Sequence, residues 1–235
     1  MELRDALRTT GAVRDFTTQH VPDAVLREIL DDARFAPSGG NRQAWRVILV
    51  ENEQRAQLRD IYLEGWHEYV SHVLAGQVPF SPLASDADRA AADAQRSEAE
   101  ALFDPDGFAE SIDRVPVMLV VLADLGSLAA TDRDLDRYQL VGGASIYPFV
   151  WSILLGAHER GLAGVMTTVL TRNEHAAREV LHVPDDYAIA ALLALGYPVK
   201  RPTKLKRRRV EEFTTRDTFD GESFGAAAFS PSSIS

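Results

Sequence analysis

The run Ala36-Pro37-Ser38-Gly39-Gly40-Asn41-Arg42-Gln43-Ala44-Trp45 concentrates loop-forming residues with amide and hydroxyl side chains. Backbone N–H groups, hydroxyls and amides at this density read the donors and acceptors of a flat polar ligand, where a charged pocket would read only charge. Arg14 lies upstream, and Lys204-Leu205-Lys206-Arg207-Arg208-Arg209 lies near the C-terminal end. A guanidinium presents a planar fork to phosphate oxygens. Together these groups suit a phosphorylated planar ligand. Each piece also has a plainer reading. Arg14 is equally an exposed arginine at a helix end, and the basic run is equally a solvated loop or a nucleic-acid patch. Thr167 and Thr168 are either ordinary strand residues or donors aimed at a ring edge.

Other chemistries lack their residues. No cysteine occurs, which removes disulfides, thiolate metal sites and a cysteine nucleophile. The six histidines show no metal-ligand spacing, and no Gly-x-Gly-x-x-Gly, P-loop or nucleophile elbow is present. A net charge of −10 argues against a nucleic-acid or anionic-lipid surface. No apolar run reaches membrane-spanning length and the N-terminus has no signal core, so a soluble cytoplasmic protein is expected.

The elements that would position these residues follow from periodicity. Pro22 to Ala33 carries one apolar stripe and predicts a helix, with Pro22 in its first turn. Trp45 to Val50 predicts a strand, and Asn52 caps a helix to about Leu63. Val115 to Ala123 reads as a buried strand. Tyr138 to Arg160 reads as one apolar helix, central or at a subunit interface, closed by Gly161. Gly164 to Val169 reads as a strand or extended loop. Thr171 and Glu174 predict a capping box opening a helix to Leu181, and Tyr187 to Leu195 predicts the last strand. Residues 66–114, with an acidic Ala-rich helix over 86–100, read as an inserted helical lid. A single domain over 1–220 and a flexible tail over 221–235 are expected. Strands and helices mix without a regular alternation, so the expected class is α+β.

Arg14-Asp15-Phe16, the Pro-Ser-x-x-Asn-x-Gln-x-Trp segment, Gly164-Val165-Met166-Thr167-Thr168, Gly196-Tyr197-Pro198 and the basic run, in that order, resemble the nitroreductase family of flavoproteins. The resemblance covers about 5–65 and 115–215. It implies a three-layer sandwich, a mostly antiparallel sheet flanked by helices, in an intertwined homodimer with FMN at the subunit interface. It also implies electron transfer from NADH or NADPH through the flavin to a nitroaromatic, quinone or similar small aromatic acceptor, with no side chain acting as a catalytic acid. Carried over by position, Arg14 holds the phosphate with Arg207. Ser38, Asn41 and Gln43 line the flavin, from the opposite subunit, and Thr167 and Thr168 sit near its pyrimidine edge and N5. The family's opening Arg-x-Ser-x-Arg reads Thr10-Gly11-Ala12-Val13-Arg14 here, one arginine and the serine short, and Ala44 replaces a common proline. The alternatives are a non-enzymatic flavin or ligand carrier, or a related flavoprotein with dehalogenating or flavin-destroying chemistry.

Overall fold

Seven consecutive residues of Val117–Asp124 are buried, which requires a strand covered on both faces. This strand, β2, lies inside a four-stranded sheet with β1 (Trp45–Val50), β3 (Ala163–Thr167) and β4 (Tyr187–Gly196). The order is β1-β2-β4-β3 and every neighbouring pair is antiparallel. Side chains alternate between faces, as the pleat demands. Val117, Leu119, Val121 and Ala123 join one hydrophobic cluster, while Met118, Val120 and Leu122 join the other. The register slips between Val121 and Leu122, which pair with Ala191 and Ile189 and leave Ala190 as the extra residue of a bulge. The slip changes the phase of β4, so Ile189 and Leu192 both reach the second cluster.

Helices cover both faces. Helices α2 (Asp23–Ala33) and α6 (Tyr147–Glu159) bury Leu26, Ile29, Phe149, Val150 and Ile153 against the first. Helices α3 (Asn52–Leu74) and α7 (Glu174–Leu181) bury Leu58, Tyr62 and Ala177 against the second. Each fully buried aliphatic side chain of these layers contributes about 1.5–3 kcal/mol relative to exposure. The α+β three-layer sandwich expected from the sequence is the architecture of this computed structural model, which describes residues 2–225. Short helices α1 (Leu3–Thr9), α4 (Asp86–Asp93) and α5 (Arg96–Ala101) complete the set. No helix among the described residues is long and apolar enough to cross a membrane.

Several boundaries differ from the periodicity, each for a local reason. Pro22 is the N-cap of α2 rather than its first helical residue. Helix α3 runs eleven residues beyond Leu63, to Leu74, and Glu51 takes the cap position before Asn52. The acidic segment 86–100 breaks into α4 and α5. The apolar stretch 138–160 is a 3-10 turn (Val141–Ser145) followed by α6. A Cβ at Gly143 would lie 2.7 Å from the Tyr147 ring, which packs closely on this turn. The Thr171–Glu174 capping box does not form. The Thr171 hydroxyl donates to the Thr168 carbonyl, while the Glu174 carboxylate accepts from the Ile189 N–H on β4. Asn173 is the N-cap.

The chain divides into two compact units between Pro202 and Thr203. In the second, Thr215 bridges Ser223 and Phe224 N–H donates to the Thr214 carbonyl. Residues 226–235 of the expected tail lie outside the described residues.

Candidate functional site

Gly40, Asn41 and Gln43 all have positive φ, at 61°, 53° and 51°. Glycine adopts this region freely and asparagine tolerates it, but glutamine is strained there by about 1–2 kcal/mol. The loop is held by one local and one long-range bond. Gln43 N–H donates to Ser38 Oγ at 2.9 Å, and Gly39 N–H donates to Ser145 Oγ at 3.0 Å. Trp45, where the loop becomes β1, stacks on Phe149 of α6 with centroids 4.6 Å apart and planes 4° apart. A fixed loop therefore turns Asn41, Arg42 and Gln43 outward, all three exposed. The Ser38 hydroxyl oxygen accepts the Gln43 N–H and so braces the loop. Over-determined strain of this kind collects at ligand sites.

A second group of residues gathers at β3. Ala12 forms a parallel bridge with Gly164, and Val13 N–H donates to the Gly164 carbonyl at 3.0 Å. This edge pairing aims the exposed Arg14 guanidinium 5.8 Å from the centroid of the Phe108 ring. Tyr62 of α3, almost fully buried, meets Thr167 Oγ1 at 3.0 Å. Desolvation raises the Tyr62 pKa, with Thr167 and the Arg14 charge opposing, so the phenol stays protonated. The Thr167 hydroxyl is engaged inside the fold, and Thr168 is the exposed member of the pair.

These two groups are not together within one chain. β1 and β3 occupy opposite edges of the sheet, three strand spacings or about 14 Å apart. Ser38, Asn41 and Gln43 lead into one edge, and Arg14, Thr167 and Thr168 belong to the other. Arg207 is exposed in the second compact unit, where it donates to the Lys206 carbonyl at 2.8 Å.

Below Arg14, a buried histidine ties the entry segment down. Arg201 donates to His158 Nδ1 at 2.9 Å, and His158 Nε2 meets Thr9 Oγ1 at 3.0 Å. Arg201 also donates to the carbonyls of Gly161 and Leu162. Because Arg201 can only donate, Nδ1 is the unprotonated nitrogen and His158 is neutral. Burial, then the Arg201 charge, holds its pKa below the ordinary 6.5, against a smaller opposing effect of Glu159. The unfolded chain thus takes up this proton first. Stability from the network is complete above pH of about 6.5 and declines as pH falls through that value toward the lower folded one. Urea midpoints measured at about pH 8 and pH 5.5 should fall in the native protein and fall less in His158→Asn. Equal losses in both would exclude His158 as the source.

A nitroreductase family model matches residues 7–197. The chain belongs to the nitroreductase family. It is 25% identical to nitrobenzene nitroreductase of Ectopseudomonas oleovorans over 225 residues, 90% of this chain and 95% of the relative. Among solved structures, a BluB-like flavoprotein from Clostridium difficile 630 superposes with a TM-score of 0.65 at 20% identity, covering 92% of this chain and 98% of that one. The FMN and NADPH-dependent nitroreductase NfnB from sphigopyxis sp. strain HMH gives 0.61 at 22% identity, covering 93% and 100%. The family's fold is therefore present across the first compact unit.

Tyr62, Phe80, Ser145, Arg172 and Arg201 stand in none of the candidate site motifs legible in the sequence. One signal was available for part of this set: Tyr62, Trp66 and Tyr69 recur at helical spacing. They form a stacked series with centroids 6.5 and 5.0 Å apart, and Phe80 follows at 6.3 Å.

Proposed function

We propose that the chain is an FMN-dependent oxidoreductase that passes electrons from NADH or NADPH to a nitroaromatic, quinone or similar planar acceptor. In this reading two copies pair, so that each cleft takes Arg14 and Thr168 from one chain and Asn41 and Gln43 from the other. The observation that carries it is the division of exposed ligand-type side chains between opposite sheet edges. Neither set alone suffices for a phosphorylated heterocycle: one has a guanidinium fork, the other amides that both donate and accept.

The donor set fits FMN. Arg14 offers charge-assisted bonds to the phosphate, and Asn41, Gln43 and Thr168 match the polar edge of the ring system. Ser38 and Thr167 act as positioning residues, the first bracing the loop through Gln43 N–H and the second bonded to Tyr62. FMN, when bound, supplies the two-electron chemistry. The protein's part is to bind, orient and exclude water.

The absorption spectrum of the purified protein tests this. A yellow, dimeric protein should bleach on anaerobic addition of NADH or NADPH and recover its colour with nitrobenzene. A colourless protein that takes up no added FMN would overturn the proposal. A yellow protein that neither nicotinamide bleaches would instead be a flavin carrier.

A further inference from the structure

We infer that the cavity beside Thr168 is the acceptor site, and that it selects planar aromatics carrying an anionic substituent such as a carboxylate. The inference rests on the proposed redox function and names its substrate class. The cavity has a volume of about 710 Å³, and Phe80, Arg172, Glu68, Arg89 and Tyr138 line it together with Thr168. A space of this size accommodates a small aromatic molecule.

Phe80 marks the cavity as more than a packing gap. Its φ is +55°, a left-handed conformation that a bulky side chain adopts at a penalty of about 1–3 kcal/mol. What the strain achieves is placement of the ring. Phe80 lies edge-on to His72 at 5.3 Å and tilted to Tyr69 at 6.3 Å, with the Arg172 guanidinium 4.8 Å from its centroid. The Arg172 guanidinium thus covers one face of the Phe80 ring, and the pair is fixed together on one wall.

Arg172 is held so that part of its fork faces away from its partner. Nε and Nη2 donate to the two Glu68 carboxylate oxygens at 3.0 and 2.7 Å. Nη1 makes no hydrogen bond among the described residues, and its two protons remain for a ligand. The other charged groups on the wall are Arg89 and Asp93. Arg89 is braced by the Ala84 carbonyl and by Asp86, and His72 Nδ1 meets Gln77 Oε1 at 3.0 Å. Two cations against two carboxylates make the wall formally neutral, in a chain of net charge −10. Glu68 occupies the Nε–Nη2 edge of the guanidinium, which leaves Nη1 for the carboxylate of a ligand.

Calorimetric titration of the oxidised protein as purified, without nicotinamide, separates binding from turnover. The probes are 4-nitrobenzoate, nitrobenzene and 4-nitrobenzylammonium. The nitrobenzoate should bind about tenfold or more tighter than nitrobenzene, the cation weakest. Arg172→Gln should erase the ratio, whereas Glu68→Gln should keep or raise it. A purely structural ion pair predicts parallel losses in both variants, and ratios within one variant are insensitive to how much of it folds. Phe80→Ala should weaken all three probes alike. Equal affinity for nitrobenzoate and nitrobenzene, or a ratio untouched by Arg172→Gln, overturns the inference. Flavin content read on the same samples tells the two failures apart. Colourless protein that discriminates sinks the redox function and leaves the cavity only an anion-selective aromatic site, yellow protein that does not discriminate sinks the acceptor assignment alone, and colourless protein without discrimination sinks both.

Discussion

Arg14→Ala should weaken FMN retention by about 1.5–3 kcal/mol, one to two orders of magnitude in Kd, with little change in thermal stability. The Arg14 side chain is exposed, and its ring contact is with Phe108 at 5.8 Å, so truncation removes almost no packing. What is lost is a charge-assisted bond to a dianionic phosphate. Arg14→Lys keeps the charge without the planar fork and should fall between the two. Fluorescence titration of FMN into stripped protein measures the difference. An Arg14→Ala protein that binds FMN as tightly as the native one would remove Arg14 from the site.

Gly164→Ala should destabilise the protein by about 1–3 kcal/mol and loosen FMN as well. A Cβ at this position would lie 2.4 Å from Leu195 Cδ2 and 2.5 Å from the Ala194 carbonyl oxygen. The leucine methyl can rotate away, but the carbonyl belongs to β4 and moves only if the β3–β4 ladder opens. Val13 N–H is bonded to the Gly164 carbonyl, so displacement of β3 also shifts the base of Arg14. Each kcal/mol lowers Tm by about 2–4 °C in a domain of this size. A melt and an FMN titration on the same variant check both consequences. An unchanged Tm would mean that the sheet absorbs the methyl group, and the coupling to Arg14 would go with it.

The layers were legible because burial leaves a strong imprint. Trp45–Val50 reads as a strand from its β-branched run, and the apolar stretch forming β2 reads as covered on both faces. Helix ends were less legible, since they depend on partners distant in sequence. Glu174 has the spacing for a capping box but reaches Ile189 on another strand instead. Helix α3 outlasts its aliphatic stripe because Trp66 and Tyr69 stack beyond it and Glu68 grips Arg172. Of the site, the types of Arg14, Asn41 and Gln43 were readable, and all three are exposed. The inward turn of Thr167 was not readable, because it depends on Tyr62 arriving from 105 positions away. Nor was the wall containing Phe80, whose backbone strain has no signature in composition.

The strand order has a genetic consequence. In the proposed pairing, a chain with Arg14 replaced and a chain with Asn41 and Gln43 replaced are each impaired in holding FMN, yet they fail at opposite rims of the sheet. A hybrid of the two carries both defects in one cleft and neither in the other. Cells expressing the two alleles together should therefore recover part of the activity that each lacks by itself.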